Sequence, residues 1–173
     1  MQYSPDGRFL ASGDDSGMVR LWDFQDMRAW QRGRVLTFGG PTDTDHSPDE
    51  GLALASNWHE ADDLAIKVFP ANADRASSPK VCQLDTKSYY IAMRWDYKLT
   101  PAAWLRSHPV RVMNLRTGLE MEAQPVDWGP SLSTGALMHL SPALAAALNV
   151  KPNDEAAAWV PVPIDVSKAA TPK

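Results

Sequence analysis

The amino-acid sequence predicts a mainly β fold assembled from many short elements, and three observations carry that prediction. Fourteen prolines and ten glycines in 173 residues interrupt every long periodic run. Between them lie short apolar stretches that alternate with polar residues, as half-buried strands do. Only two cap-plus-proline signals, Thr100-Pro101 and Ser141-Pro142, open helices, and turn residues soon close both. With 44% hydrophobic and 22% charged residues the chain is globular, with room for one ordinary domain and a short appendage.

The elements follow in order. Residues 1–33 form the appendage. Ser4-Pro5-Asp6-Gly7 is a turn signal, Phe9 to Ser12 a short apolar strand, and Gly13 to Gly17 a second turn. Met18 to Asp23 then alternates, so the pair reads as a β-hairpin. Arg34 to Phe38 opens the main domain, residues 34–163, and leads into Gly39-Gly40-Pro41 and an acidic loop. Gly51 to Ala55 is an apolar run, Ile66 to Phe69 is expected as an edge strand, and residues 72–80 as a loop.

Ser88 to Arg94 reads as a buried strand, and a helix is expected from Thr100, its N-cap, to about Ser107. Val110 to Leu115 and Leu119 to Ala123 pair around Thr117-Gly118. Val126 to Pro130 reads as a polar turn, Ser141 to Asn149 as the second helix, and Glu155 to Val162 as the last strand. Residues 164–173 are expected to be a loose tail.

Composition excludes several functions. The formal charge of −4, without a basic stripe, argues against nucleic acid. Cys82 is the one cysteine, so no internal disulfide exists. No long apolar stretch predicts membrane insertion, and the first residues lack the basic and apolar regions of a signal peptide. A cytoplasmic protein, or one released without a signal peptide, is therefore expected. Gly39-Gly40-Pro41 lacks the Lys-Ser/Thr of a phosphate loop, and no cofactor is implied. His46 with Asp43, Asp45 and Asp49 could attract a hard cation. The twelve-residue calcium loop is absent, however, so a solvated acidic loop is expected and no metal site is assigned. No Gly-x-Ser-x-Gly frame surrounds a serine, so nucleophilic catalysis has no support.

Two resemblances sharpen the prediction. Ser4-Pro5-Asp6-Gly7, Leu10-Ala11-Ser12-Gly13 and Trp22-Asp23 look like the heart of a WD40 blade, over about 20 residues of a roughly 40-residue repeat. One blade cannot bury its own faces, so no propeller is expected. The segment is a partner-binding element, an appended hairpin or a remnant.

The order Val110 to Asn114, Thr117-Gly118, Asp127-Trp128-Gly129-Pro130, Gly135 to Ser141 and the Ala-rich Pro142 to Val150 resembles the rare lipoprotein A and expansin-like barrels. Phe38 to Pro41 and Glu50 to Ala53 are similar to phage and bacterial proteins carrying the same barrel. The resemblance implies a six-stranded double-psi β-barrel with short helices. It also implies a cell-wall polysaccharide, peptidoglycan above all, as substrate or ligand.

In lytic members of the superfamily an Asp at the place of Asp127 is proposed to protonate the glycosidic oxygen. A carboxyl beside Trp128 and Pro130 would be partly desolvated and its proton available near neutral pH. Asp43 is the candidate second carboxylate across the groove. Trp128, Trp95, Trp58 and Tyr90 are candidate substrate-binding residues, their rings suited to stacking on sugars. Trp104 and Trp159 sit in apolar patterns and read as core.

The chain departs from the family at Ala136, where the family has Arg, and at His139, where it has Asp. Arg94-Trp95 falls near the family's upstream His. These departures bear on the activity more than on the fold. The alternative is a non-catalytic interaction or structural module of phage or secretion origin, with a protein partner. An open groove with Asp127 and Asp43 facing each other would favour the enzyme. A filled groove with Asp127 bonded to backbone amides would favour the module.

Overall fold

A computed structural model describes residues 2–3, 9–13, 19–23 and 30–161. The chain divides into two compact units, residues 1–31 and 32–173. In the first, strands β1 (Gln2–Tyr3), β2 (Phe9–Gly13) and β3 (Val19–Asp23) form an antiparallel sheet in that order. The expected turns at 4–7 and 14–17 and the expected tail at 164–173 lie outside the described residues.

In the second unit six strands close into a barrel: β4 (Trp30–Thr37), β5 (Tyr90–Met93), β6 (Val110–Asn114), β7 (Glu120–Trp128), β8 (Met138–Leu140) and β9 (Glu155–Trp159). Their order around the barrel is β4-β8-β5-β7-β6-β9. Pairs β4–β8 and β5–β7 are parallel, whereas β5–β8, β6–β7 and β6–β9 are antiparallel. Asn153 N–H donates to the Val35 carbonyl at 2.7 Å and Val35 N–H to the Asp154 carbonyl at 2.9 Å, tying β4 to the segment that enters β9. Closure leaves no open edge for another strand to join.

Side chains of β5 alternate between two cores, as the period-two geometry of a strand requires. Ile91 and Met93 point into the barrel with Val35, Val112, Met138 and Leu140. Tyr90 and Ala92 face outward, where Phe38, Leu52, Leu64, Val81, Leu84 and Val126 form a second core. The long segment between β4 and β5 therefore acts as a cover, burying part of the barrel's outer face.

Helix α1 (Trp58–Asp62), in that cover, is not anticipated by the sequence. Asn57 caps it by accepting from Glu60 N–H at 3.0 Å. Helix α2 (Ala102–Ser107) starts later than expected, and Thr100 does not cap it: its hydroxyl donates to the Asp96 carbonyl instead. Helix α3 (Pro142–Leu148) matches the sequence signals. Ser141 Oγ accepts from Leu144 N–H at 3.1 Å, Pro142 follows, and Asn149 ends the helix in the left-handed region.

Two expectations are corrected. Ile66 to Phe69 is not an edge strand, because its backbone bonds go to single partners rather than to a ladder. Ile66 N–H donates to the Gln124 side chain, and the Val68 carbonyl accepts from Asp85 N–H. Val126 to Trp128 is not part of a turn: β7 continues through it. The reason is the parallel partner β5, which pairs Ile91 with Pro125 and then Ala92 with Asp127, skipping Val126 as a bulge.

Gln124 is the buried polar hub of this arrangement. Its Oε1 accepts from Ile66 N–H at 2.9 Å, and its Nε2 donates to the carbonyls of Leu105 and Arg106 at 3.1 and 3.2 Å. One side chain thus joins β7, the cover and the last turn of α2. Gln124→Met keeps the volume but takes the acceptor from Ile66 N–H and a donor from the carbonyls of Leu105 and Arg106, the latter keeping its bond from Ala65 N–H. It is expected to destabilise the fold by about 2–4 kcal/mol, read from urea unfolding midpoints at unchanged slope.

Candidate functional site

The cover stops short of one row of outward-facing residues. Strand registers place Leu36 beside His139, His139 beside Ala92, and Ala92 beside Asp127. All four line a cleft of about 480 Å³. Ala92 is the smallest of them, so the floor is low between an imidazole and a carboxyl. Two strand spacings put their backbones roughly 9–10 Å apart. Thr37 adds to the floor, Asp45, His46 and Glu50 come from the cover, and Gly129 to Ser131 and Thr134 form the far wall.

The bulge at Val126 sets the direction of Asp127. Val126 drops into the second core, and Asp127 is then turned to the cleft. The residue is only 8% exposed. Oδ1 accepts from Ala53 N–H and Trp128 N–H, both at 2.8 Å. Among the described residues no donor is bonded to Oδ2. Burial pushes the carboxyl's pKa up, the two backbone bonds oppose this, the Glu50 carboxylate adds to the rise, and His46 opposes it. The outcome is a carboxyl above its ordinary range, so it holds its proton more readily than a free Asp.

Asp43 does not line the cleft with Asp127. It turns inward, where its carboxyl accepts from the backbone N–H groups of Gly39, Asp45 and His46 and meets His46 Nδ1 at 2.9 Å. Burial would raise its pKa, but the bonds from Gly39, His46 and Asp45 together outweigh it and hold the group below the usual carboxylate range. Gly39 and Gly40 make the required turn at φ +89° and +87°, a region that favours glycine.

His139 stands on β8 between the inward Met138 and Leu140, which fixes its outward direction. Its ring lies 5.4 Å from Phe38 and 5.6 Å, edge-on, from His46. Burial drives its pKa down to about 4, His46 adds to the fall, and Asp43 and Asp45 oppose it. The ring is therefore neutral near pH 7.

The other candidate residues divide. Trp128 is half exposed at the cleft, with its Nε1–H on the Trp95 carbonyl at 3.3 Å. Trp95 is buried beneath it and donates to the Asp127 carbonyl at 2.6 Å, so it supports the site and offers no ring face to it. Tyr90 is wholly buried in the second core, its hydroxyl on the Phe38 carbonyl at 3.3 Å. Trp58 packs on Phe69 under the Arg75 guanidinium, outside the cleft lining.

Sequence reasoning missed His139 and Glu50 as members of the site, and placed His46 only in an acidic loop. Tyr97, outside the cleft lining, is a half-exposed ring whose hydroxyl pKa is raised by burial and then by Asp127. The apolar-polar-apolar order Met138-His139-Leu140 was the one available signal. Arg94 bonds the carbonyls of Pro130 and Ala136 at 2.7 and 3.0 Å and so anchors the far wall. Asp49 is paired with Lys80 and does not line the cleft. Among the described residues no group of three His, Cys, Asp or Glu is placed to hold a metal ion, and no helix is long and apolar enough to cross a membrane. Set against known proteins, the chain matches no family model, no curated protein and no solved structure.

The neutral His139 has a thermodynamic consequence. Unfolded, it takes its proton near pH 6.5; folded, only near pH 4. Between these values the unfolded chain binds a proton that the folded chain does not, so stability falls as pH drops through that window. Allowing for partial solvent screening, the contribution between pH 7 and 5 is about 1–2 kcal/mol. The raised carboxyl of Asp127 acts in the opposite sense. His139→Gln should therefore lose less stability than the parent between pH 7 and 5, measured by urea unfolding at both pH values. An equal loss in the two proteins would contradict the burial of the ring.

Proposed function

We propose that the barrel is of the double-psi type and that its cleft binds and cleaves a cell-wall polysaccharide, peptidoglycan above all, with Asp127 as the acid. On this reading residues 1–33 are a WD40-like hairpin appended to the catalytic barrel. The reading draws on the sequence resemblance to rare lipoprotein A-like barrels, with which a closed six-stranded barrel of mixed parallel and antiparallel pairing is compatible.

The observation that carries it is the state of Asp127. The residue is buried, lines an open cleft and is raised in pKa, and among the described residues no donor is bonded to Oδ2. A structural Asp in a tight turn would have both oxygens engaged and its pKa lowered by the donors. Here the Oδ1 bonds fix the group, and Oδ2 is left to give its proton to a leaving oxygen. Trp128 beside it lines the cleft with a half-exposed indole, a ring type suited to stacking on a sugar. The lining contains carboxylates, histidines, hydroxyls and no Lys or Arg, which suits a hydroxyl-rich ligand better than a phosphate.

The same Oδ1 bonds to Ala53 and Trp128 favour the second reading, a non-catalytic module whose Asp127 merely stitches the cover to β7. Digestion of purified peptidoglycan, with soluble products read by mass spectrometry, separates the two. The parent should release muropeptides and Asp127→Asn should release at least 100-fold less, in line with the usual worth of general acid catalysis. Equal release by both proteins would remove Asp127 from the chemistry. No release by either would leave the module reading in possession.

A further inference from the structure

We propose that His46, held by Asp43, is the base that works opposite Asp127 in the cleft; this rests on the polysaccharide-cleaving reading above. The case is geometric. Asp43 is pinned by three backbone N–H groups, from Gly39, Asp45 and His46, and presents Oδ2 to His46 Nδ1 at 2.9 Å. An ionised carboxylate can only accept, so Nδ1 carries a proton, and in the neutral ring Nε2 carries the lone pair. No donor or acceptor among the described residues is bonded to Nε2. The His46 side chain is 15% exposed, wedged between Phe38 and His139, and lines the cleft with Asp127. A base that is oriented, desolvated and prevented from rotating is the arrangement that acid–base catalysis requires.

The other candidates in the lining are less suited. Glu50 and Asp45 are exposed and their side chains are held by little: Glu50 accepts only from Ser47 N–H, at 3.3 Å. His139 is buried to the point where its ring is a poor proton acceptor. It serves better as the wall against which His46 rests. Asp43, read from the sequence as a second carboxylate facing the sugar, is instead a positioning residue that acts through the imidazole.

The step balances as follows. The attacking hydroxyl, of water or of the sugar's own 6-position, gives its proton to Nε2 as its oxygen bonds the anomeric carbon. The glycosidic carbon–oxygen bond breaks, and the leaving oxygen takes the proton of Asp127. Exchange with solvent returns the imidazolium and the carboxylate to their starting states. Water as attacker yields a reducing end; the 6-hydroxyl yields a 1,6-anhydro end with no water consumed. The two products differ in mass by one water, so the digest identifies the attacker.

The experiment compares peptidoglycan digestion by the parent, His46→Gln, Asp43→Asn and Asp127→Asn, with circular dichroism as the check on folding. His46→Gln should be slower by 100-fold or more. Asp43→Asn should lower kcat by a comparable factor with little change in KM. Its amide can donate to Nδ1 and so move the ring proton to Nε2. Nitrogen-15 NMR of the histidines reads that tautomer directly, and in the parent it must show Nδ1–H for His46 even if a variant does not fold. Release by His46→Gln within threefold of the parent, or an Nε2–H tautomer in the parent, overturns the role of His46 while the polysaccharide reading stands on Asp127→Asn. If the parent releases nothing, the two fall together.

Discussion

Strand β7 carries one residue more than the strand it pairs with, and that residue decides what the barrel's outer face can do. Pro125 has no N–H to give to a ladder, and the pairing with β5 jumps from Pro125 to Asp127. Without the jump, strict alternation would send Asp127 to the face it now avoids, and Val126 would stand where the carboxyl stands. With it, Val126 closes the second core, and its carbonyl accepts from Leu54 N–H at 3.1 Å. That bond docks the cover beside the cleft, and Ala53 N–H then reaches Asp127 Oδ1. The bulge, the docking of the cover and the placement of the Asp127 carboxyl are one arrangement.

The cover matters as much as the barrel. A bare outer face would leave the row Leu36, His139, Ala92 and Asp127 in water, where neither the carboxyl nor the imidazole would depart from ordinary behaviour. The segment between β4 and β5 packs an apolar layer against Tyr90, Ala92 and Val126 and ends at that row. The cleft lies at the margin of a hydrophobic core, and burial there raises one group and lowers another within a single cavity. Opposite shifts in neighbouring titratable groups are the pattern expected of acid–base sites.

Much of the barrel was legible in the sequence because its strands alternate cleanly and its turns carry Gly, Asn and Pro where they are needed. Val110 to Asn114 and the Thr117-Gly118 turn lie where the pattern put them, as does the capped helix after Ser141. The misreadings share a cause. Ile66 to Phe69 alternates like a strand, but the Gln124 amide, 58 residues away, takes the N–H that a ladder would need. Val126 to Pro130 has turn composition, but pairing with β5 extends the strand into it. Trp58 and Tyr90 have the chemistry of sugar-binding rings, and only tertiary packing decides that one lies under Arg75 and the other inside a core. The place of His46 was hidden for the same reason: nothing local to Asp43 and His46 says that their loop folds over β8.

The two aspartates illustrate why residue type alone is a poor guide to role. Asp43 and Asp127 are both partly or wholly buried, and both accept backbone N–H bonds. Asp43 gathers three such bonds and a histidine, enough to overcome its desolvation, and it stays charged. Asp127 gathers two on a single oxygen, is more deeply buried, and faces Glu50, so the balance tips the other way. Asp43 is held toward its charged form beside the His46 imidazole, and Asp127 is drawn toward its protonated form. The difference arises from the number and placement of N–H groups, set by a Gly-Gly turn in one case and a strand bulge in the other. The carboxylate pair that the family resemblance implies is thereby separated, and the positions of backbone donors leave Asp43 charged beside an imidazole and Asp127 raised in pKa at the cleft.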